Sequence, residues 1–492
     1  MTVTSSPSPA EAREQPERPS SRLSPAVRSV VIWGVVALAI STGIVLWART
    51  RPGFDPYGWL VWGHQALHGA LNTNAAPSWK PLPFLFTLPY AIFGRYELWL
   101  WMITCVAVSL GGSIAAGRIA YRITIWPVTE PAKARRYAAI AAGVFAGLAL
   151  LGIQDWWHYM LSSQSDTMIA ALCLGAIECH LSGRPRWAFA LGALAALGRP
   201  EVWPFLAIYS IWAWRAIPSM LWVIGVGIAA ILFMWFAIPA ITSRSPFVAA
   251  SNAFGSGRRL KSDRVFGTID RFLDLYSTPL EIAALLSLVV AALKRDLVTL
   301  VLGAGAAAWL VIEIAFSLHG WPGLGRYMFP AAGVMAVTAA VLVGRILADL
   351  PAWLAARLPA LRASGAGLAA AIVLAAVIVG TLVPSAVSSA RAEHRDLKAQ
   401  RLRTKSINRL SATIDRLGGP ARLNACGEPL TRLEYQTILA WTLKINVVKI
   451  GFKYSQAIHH GNPIVLFTPL STGAWKVQAL HQVRPSCRSL PR

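Results

Sequence analysis

Apolar runs of about 20 residues alternate with polar loops along most of the chain, and runs of that length cross a bilayer as helices. The pattern predicts an α-helical polytopic membrane protein with about eleven transmembrane helices. The first run is too long for a cleaved signal peptide and is expected to stay as a helix. The predicted spans lie near 27–48, 97–117, 137–153, 167–181, 187–198, 202–214, 219–241, 279–293, 297–317, 327–345 and 367–388.

Residues 187–214 are the hardest part of this pattern to divide. As one helix they would extend about 42 Å, but Gly198-Arg199-Pro200-Glu201 interrupts them. A proline breaks or kinks a helix, and buried charge inside a membrane is costly. We therefore expect two short spans that meet at a polar elbow on the outer side. The one-span alternative would reverse the topology of every later segment.

The basic loops orient the chain. The loop at 118–136 is the most basic, and the positive-inside rule places it in the cytoplasm of an inner-membrane protein. The N-terminus is then inside, and the loop at 49–95 is outside. The outer loop at 242–277 also holds six basic residues, which binding of an anionic ligand would explain and a solvated loop would explain equally. They are Arg244, Arg258, Arg259, Lys261, Arg264 and Arg271.

Two regions flank the membrane domain predicted at 27–388. Residues 1–26 are rich in Ser, Pro, Glu and Arg and are expected to form a disordered cytoplasmic tail. Residues 389–492 lack long apolar runs and predict a small extracytoplasmic α/β domain. It would begin with a basic amphipathic segment (391–417) and contain strands at 422–426, 447–452 and 464–468 and a helix at 433–443. Cys426 and Cys487 could pair there if the compartment is oxidising, or remain free thiols.

Composition narrows the class of partner. The chain is 55% hydrophobic and 14% charged, with a net charge of +24 and a mean hydropathy of +0.51. So basic a soluble chain would suggest nucleic acid, but the membrane class excludes it, and anionic lipid head groups or lipid phosphates fit better. No zinc-type Cys/His spacing is present.

Polar side chains gather at the outer ends of the predicted spans. Fixed cations there suit a phosphate, and a carboxylate suits deprotonation of a hydroxyl, so this face predicts a reaction site. Each residue also has a structural interpretation: a turn or helix cap, a snorkelling lysine, an arginine–glutamate pair, an interfacial anchor or a packed histidine. Tryptophans and tyrosines of 49–101 predict mainly an aromatic belt. The polar residues are Asp55, His64, Lys80, Asp155, His158, Asp166, Arg199, Glu201, His319 and Arg326.

Four short motifs follow one another within residues 50–335. They are Trp79-Lys80-Pro81-Leu82-Pro83-Phe84 followed by Phe93-Gly94, Ser165-Asp166, Leu194 to Glu201 with Arg199-Pro200-Glu201, and Gly325-Arg326-Tyr327-Met328-Phe329-Pro330. In this order they resemble the motifs of polyprenyl-phosphate-dependent glycosyltransferases with the GT-C fold, in the branch of lipid A aminoarabinose transferase and protein O-mannosyltransferases. Two departures stand out: Pro56 follows Asp55 where many members have a second acid, and Leu-Pro follows Lys-Pro in place of Pro-Leu.

The resemblance implies an inverting hexosyl- or pentosyltransferase that moves a sugar from a polyprenyl-phosphate donor to an envelope glycan, lipid or protein. It implies Asp55 as general base. Because Pro56 follows Asp55 where many members have a second acid, no metal ligands are predicted; a divalent metal is possible but not required. The richness in Arg, Ala and Gly is typical of high-GC actinobacteria and favours mannose or arabinose as the sugar. The residues expected to bind donor phosphate or substrate are Lys80, Arg199, Glu201, Arg326, Tyr327, His64, Asp166, Arg258 and Arg259.

Two other functions remain open from the sequence. A transporter or lipid flippase would also have many spans, but it favours internal repeats and polar residues at mid-membrane or on both faces. The chain shows no clear self-similarity, and its polar residues favour one face. A noncatalytic scaffold would tolerate changes at Asp55, Lys80 and Arg326 without loss of a product.

Overall fold

The computed structural model describes residues 25–126, 128, 132–254, 257–358, 365–459, 461–481, 484–487 and 490. The predicted tail therefore lies almost wholly outside the described residues. All eleven predicted spans fall on helices. The α-helices of the membrane part are more numerous than the spans. They are α1 (Pro25–Ala48), α2 (Phe54–Leu67), α3 (Pro81–Tyr90), α4 (Glu97–Ile125), α5 (Lys133–Leu151), α6 (Trp156–Leu161), α7 (Ser165–Leu181), α8 (Pro185–Gly198), α9 (Trp203–Ala216), α10 (Leu221–Leu232), α11 (Ile238–Thr242), α12 (Val248–Phe254), α13 (Arg264–Leu273), α14 (Thr278–Lys294), α15 (Leu297–His319), α16 (Phe329–Arg357) and α17 (Ala366–Arg416).

Not every helix is long enough to cross a bilayer alone. Within the described residues seven segments are long and apolar enough, or eight if α13 and α14, bent by 96°, count as one span. By contrast, α7 has 17 residues and α8 and α9 have 14 each. At 1.5 Å per residue they extend roughly 21–26 Å, less than the hydrocarbon core of about 30 Å.

Helix α16 forms the centre of the bundle. Its side chains are buried almost without interruption from Phe329 to Arg345, and it packs against α4, α5, α7, α14, α15 and α17. Small residues let the surrounding backbones approach closely, as is common between membrane helices. A Cβ atom at Gly117 of α4 would lie 2.8 Å from the carbonyl oxygen of Gly143 in α5. The close approach of α4 and α5 therefore requires glycine at this position.

Ion pairs join one set of helix ends on one side of the bundle. Arg118 in α4 pairs with Glu178 at the end of α7 at 2.7 Å. Asp349 in α16 pairs with Lys294 at the end of α14 at 2.6 Å and with Arg135 at the start of α5 at 2.5 Å. The opposite ends of the same helices, including the starts of α4, α7 and α16, therefore lie together on the other side of the bundle.

The predicted interruption of 187–214 is present. Helix α8 ends at Gly198, Arg199 is extended (φ −151°, ψ 132°), and a 3₁₀ turn over Pro200–Val202 leads into α9. The break leaves carbonyls at the end of α8 without helical partners. The carbonyl of Ala196 accepts hydrogen bonds from the indoles of Trp203 (3.1 Å) and Trp235 (2.9 Å). These two indoles stabilise the broken end.

The aromatic residues of the first loop form a packed interior, so the prediction of an aromatic belt is wrong for most of them. Trp59, Trp62 and Trp79 are fully buried within the protein. The rings of Trp62 and Trp79 lie 5.4 Å apart, and the indole of Trp79 donates to the carbonyl of Met234 at 2.9 Å. Packing against one another and against the turn after α10 takes these side chains away from the bilayer interface; Tyr96 remains exposed.

The C-terminal α/β region follows one very long helix. Helix α17 has 51 residues, roughly 77 Å, so the basic segment at 391–417 continues the last span. A three-stranded sheet follows, in which β1 pairs parallel with β2 and β2 pairs antiparallel with β3. The elements are α18 (Gly419–Cys426), β1 (Glu428–Leu430), α19 (Gln436–Leu443), α20 (Tyr454–His459), β2 (Ile464–Pro469) and β3 (Trp475–Leu480).

Strand predictions in this region were partly wrong. The segment 422–426 lies in helix α18, which has Pro420 in its first turn, where proline is well tolerated. The segment 447–452 forms a 3₁₀ turn and a single bridge from Gly451 to Leu430. The strand at 464–468 and the helix within 433–443 are present, whereas β3 was not predicted. A disulfide joins Cys426 to Cys487.

The C-terminal region lies on the first loop. Helix α19 packs against α2, and the hydroxyl of Thr437 donates to the carbonyl of Phe54 at 2.6 Å. The amide of Asn446 donates to the side-chain oxygen of Gln65 at 2.6 Å. The C-terminal region and the loop at 49–95 are therefore on the same side of the bundle.

Candidate functional site

A chain of alternating charges runs through the side of the bundle that faces the C-terminal region. Asp55 lies 3.5 Å from Arg326, measured from Oδ2 to Nη2, and Nε of Arg326 lies 3.7 Å from Oδ2 of Asp166. The other oxygen of Asp166 lies 2.5 Å from Nη2 of Arg199, whose Nη1 lies 2.8 Å from Glu201. Five residues far apart in sequence thus form one contiguous cluster, which we call the ionic cluster.

Four helix ends bring these side chains together. Asp55 lies in the first turn of α2, Asp166 in the first turn of α7, and Arg326 in the 3₁₀ turn before α16. Arg199 and Glu201 lie at the break between α8 and α9. Polar residues at the ends of membrane helices avoid the cost of charge within the hydrocarbon core. The predicted elbow therefore supplies two members of the cluster.

Hydrogen bonds to backbone carbonyls fix the link between α6 and α7 against the first loop and α4. The amide of Gly53 donates to the carbonyl of Ser162 at 2.8 Å, and the hydroxyl of Thr50 donates to the carbonyl of Leu161 at 2.9 Å. From the other side, the indole of Trp101 in α4 donates to the carbonyl of Ser163 at 3.1 Å. These bonds hold the start of α2 beside the start of α7, and so set the position of Asp55 relative to the cluster.

The three carboxylates of the ionic cluster differ in their exposure to solvent. The side chain of Asp55 is 22% exposed, whereas those of Asp166 and Glu201 are 0% and 1% exposed. Asp166 is also shared between two guanidinium groups. Breaking a buried ion pair by removing one charge is strongly destabilising, so Asp166 is poorly suited to take up a proton. Asp55 is the carboxylate of the ionic cluster that a substrate can reach.

Two tyrosines cover the arginines. The guanidinium of Arg199 lies 3.6 Å from the ring centre of Tyr327, and that of Arg326 lies 5.3 Å from the ring of Tyr159 and 5.5 Å from that of Tyr327. Such stacking stabilises a desolvated guanidinium. Burial raises the pKa of Tyr159, and the nearby positive charge of Arg326 opposes this shift. Sequence reasoning did not assign Tyr159 to the site, since its position depends on the short helix α6.

Lys80 extends the positive charge of the cluster toward the first loop. It caps α3 just before Pro81, and its ammonium donates to the hydroxyl of Ser165 at 3.5 Å and lies 5.6 Å from the ring of Trp59. Burial lowers the pKa of Lys80 to about 8; Arg199 and Arg326 act in the same direction, whereas Asp166 opposes them. In the described part of the chain no carboxylate oxygen lies within 4.0 Å of this ammonium.

Glu313 adds a further acid beside the cluster. It lies in α15, is buried, and its carboxyl group is close enough to that of Glu201 for the two to interact electrostatically. This approach brings α15 next to the break after α8. The signal in the sequence was a lone acid within an apolar span.

Other predicted residues lie outside the ionic cluster. His64 is on α2, with its ring 4.6 Å from that of His68, and burial lowers its pKa. His158 pairs with Asp396 of α17 at 2.9 Å, and His319 packs on Phe254. The structure places Asp155 at the start of α6, where its charge reaches His158.

Two arginines of the loop at 242–277 also lie apart from the cluster. Arg258 and Arg259 are both exposed. Arg258 nevertheless lies close enough to Tyr159 for its charge to lower the pKa of that hydroxyl.

Across the described ranges, no group of three or more His, Cys, Asp or Glu side chains is placed to hold a metal ion. The acids of the ionic cluster are instead directed at guanidinium groups. What the arrangement offers is a reachable carboxylate beside two cations, Lys80 and Arg326.

Comparison with known proteins identifies the fold. No protein-family model matches the chain, and no curated protein matches its sequence. Among solved structures, ArnT from Cupriavidus metallidurans in the apo state is 16% identical, with a TM-score of 0.52 over 90% of this chain and 94% of that one. ArnT from the same organism bound to undecaprenyl phosphate is 17% identical, with a TM-score of 0.49 over 91% and 94%. The likeness to the apo structure shows that the chain has a GT-C polytopic membrane fold, as the motif resemblance predicted.

Proposed function

We propose that the protein is an inverting glycosyltransferase that takes a sugar from a polyprenyl-phosphate donor. The observation that carries the proposal is the position of Asp55: a reachable carboxylate at the end of a buried ionic cluster, 3.5 Å from Arg326 and close enough to Lys80 for their charges to interact. Such a site can hold a phosphate and accept a proton from a hydroxyl within the same small volume.

The donor phosphate would bind between Lys80 and Arg326. A partly buried ammonium with no carboxylate partner in the described residues gains stability from an anion, which explains why its site would favour phosphate. Among the described residues, the buried Nε atom of Arg326 makes no hydrogen bond and has Asp166 at 3.7 Å, so the guanidinium keeps capacity to bind an anion. Arginine binds phosphate through a planar fork and lysine as a point charge. Together they stabilise the negative charge that grows on the leaving group.

Asp55 would act as the general base. It takes the proton of the acceptor hydroxyl while that oxygen forms a bond to the anomeric carbon. The bond from this carbon to the phosphate oxygen breaks, and its electron pair leaves with the polyprenyl phosphate. Attack from the face opposite the leaving group inverts the anomeric centre. General-base catalysis typically contributes about 10²–10⁴-fold.

The rest of the ionic cluster would position these groups. Asp166 lies between Arg326 and Arg199 and limits the directions in which Arg326 can point. Glu201 anchors Arg199 in turn. Preorganised charge is effective because it does not have to reorient during the reaction. Tyr327, stacked on both arginines, would restrict their motion further.

We further propose that the donor sugar is of the mannose or arabinose type and that the acceptor is a component of the cell envelope. The basic ends of α4, α5 and α14 lie on one side of the bundle, which supports an orientation with this side in the cytoplasm. The ionic cluster and the C-terminal region would then face the outside, where a polyprenyl-linked donor and an envelope acceptor meet.

The test is transfer by the purified protein in lipid nanodiscs. Labelled polyprenyl-phosphate mannose and polyprenyl-phosphate arabinose are supplied separately with an envelope extract as acceptor, and labelled product is measured. We expect Asp55→Asn to lower transfer by about 10²–10⁴-fold while donor binding remains. The matched control is Asp270→Asn, which removes an exposed carboxylate of α13 and should leave transfer unchanged.

Two results would contradict the proposal. Undiminished transfer by Asp55→Asn would remove the assigned base. Movement of intact donor across the membrane of liposomes, with no glycosylated product, would instead identify a lipid transporter.

A further inference from the structure

A second cleft lies under the C-terminal region, away from the ionic cluster. Its volume of about 480 Å³ falls within the range of roughly 300–1,000 Å³ that is common for small-molecule sites. One wall is α2, a second is formed by Arg51 with the start of α4, and the others come from α17 and α19. The cleft therefore depends on the docking of the C-terminal region onto the first loop.

Helix α2 separates this cleft from the ionic cluster. Tyr57, Val61 and His64 line the cleft and lie at positions i, i+4 and i+7 of the helix, which form one face. Trp59, on another face, packs beneath the ammonium of Lys80. The two sites thus share a helix and a side of the membrane but use different faces of α2.

The charge of the cleft is positive. Arg51, Arg95 and Lys444 line it together with His64, and no lining residue is acidic. Within the described residues, no carboxylate lies within 4.0 Å of these three cationic groups. Lys444 is close enough to His64 to lower its pKa, after the larger effect of burial. An anion placed here would relieve this repulsion among like charges.

The remaining lining groups suit a sugar ring. Trp99 and Trp441 present partly exposed indoles to the cleft. The guanidinium of Arg51 lies 4.7 Å from the ring of Trp99 and donates to the side-chain oxygen of Asn408 at 3.4 Å, and both contacts orient it along this wall. Amide and hydroxyl groups of the lining can exchange hydrogen bonds with sugar hydroxyls. The nonpolar face of a sugar ring can lie on an indole.

We propose that this cleft binds an anionic saccharide, a sugar that carries a phosphate or a carboxylate. Arg51, Arg95 and Lys444 hold the anionic group, and Trp441 holds the ring. The assignment of this saccharide as part of the envelope acceptor rests on the proposed function; the binding itself does not. The cleft then holds a charged segment of the acceptor on one face of α2 while another segment reaches Asp55.

Calorimetric titration of the full-length protein in detergent tests the binding directly. The probes are mannose 6-phosphate, glucuronate, neutral methyl mannoside and inorganic phosphate. We expect the two anionic sugars to bind at least about tenfold more tightly than either methyl mannoside or phosphate alone, because each of these lacks half of the contacts. Equal affinity for neutral and anionic sugars, or no binding of either anionic sugar, would overturn the proposal.

Matched variants locate the site. Lys444→Gln should weaken binding of the anionic sugars by about tenfold, the effect of one lost charge-assisted hydrogen bond. Lys476→Gln, which removes an exposed charge from β3 outside the cleft, should have no effect. Trp441→Leu should weaken sugar binding but not phosphate binding. If Lys80→Gln weakens binding and Lys444→Gln does not, the anions occupy the ionic cluster and the proposal fails.

Transfer assays keep this proposal separate from the proposed function. If anionic sugars bind in a Lys444-dependent way but no sugar is transferred from any polyprenyl donor, the glycosyltransferase assignment fails and the cleft's ligand class stands. If Asp55→Asn abolishes transfer while Lys444→Gln leaves the KM for the acceptor unchanged, the glycosyltransferase stands and the role of the cleft in holding the acceptor fails. A raised KM with an unchanged kcat supports both.

Discussion

Lys80 offers the sharpest test of the donor site because its charge changes within an accessible pH range. Burial lowers its pKa to about 8. A bound phosphodiester is anionic throughout this range and would favour the protonated lysine, so the pKa of Lys80 is higher in the complex than in the free protein. Donor affinity is therefore nearly full at pH 7 and below and declines as the pH rises through 8.

The expected size of the effect follows from this pKa. Between pH 7 and pH 9 the protonated fraction of Lys80 in the free protein falls from about nine tenths to about one tenth. If the complex requires the proton, the Kd for the donor rises roughly tenfold over the same interval, about 1.4 kcal/mol. Tyr159 does not contribute, because burial raises its pKa above the usual value of 10.0.

The assay is the Kd of a polyprenyl-phosphate sugar for the purified protein at pH values from about 6.5 to about 9.5. Lys80→Arg should keep affinity nearly constant up to pH 9, since arginine stays protonated. Lys80→Gln should bind weakly at pH 7 and lose the alkaline decline, whereas Lys476→Gln should behave like the unmodified protein. A flat profile for the unmodified protein, or an unchanged decline in Lys80→Gln, would refute the reasoning.

Three further predictions concern stability. Asp166→Asn should lower the free energy of unfolding by about 3–5 kcal/mol, because two buried guanidinium groups lose their shared carboxylate; an unchanged melting temperature in detergent would contradict this. Gly117→Val should cost about 1–3 kcal/mol through overpacking, whereas Gly111→Ala, which meets no atom within 4 Å, should be neutral by the same measurement. Replacing Cys426 and Cys487 by serine should destabilise the C-terminal region by about 2–4 kcal/mol and make it the first site of limited proteolysis; equal protease resistance would count against a stabilising disulfide.

Much of the membrane fold could be predicted because run length and apolar composition leave few alternatives for a chain in lipid. The same constraint made part of the site predictable. Charged residues at span ends must lie at one surface or the other, so the alternation of spans places Asp55, Arg199 and Arg326 on one side. The structure adds that they are in contact through Asp166. The alternation of spans predicts the side of the membrane on which these residues lie, whereas the distances between them depend on helix packing.

The parts that could not be predicted depend on local geometry. Tyr159 covers Arg326 only because the short helix α6 turns it inward. Trp59 and Trp79 are residues that an interfacial belt would also contain. Only their packing against neighbouring helices places them in the interior. In the C-terminal region the short apolar runs fit helix or strand equally, so the segment 422–426 was predicted as a strand and forms part of α18.

Helix α2 connects the two proposed sites. Its first turn carries Asp55, held near Arg326, and its other face forms a wall of the cleft under α19. Thr437 bonds to the carbonyl of Phe54, the residue just before Asp55. The C-terminal region therefore both closes the cleft and supports the backbone at the proposed base. Because a shift of about 1 Å in a catalytic group can cost about 10²-fold in rate, loss of this support should lower transfer even though no residue of α19 belongs to the ionic cluster.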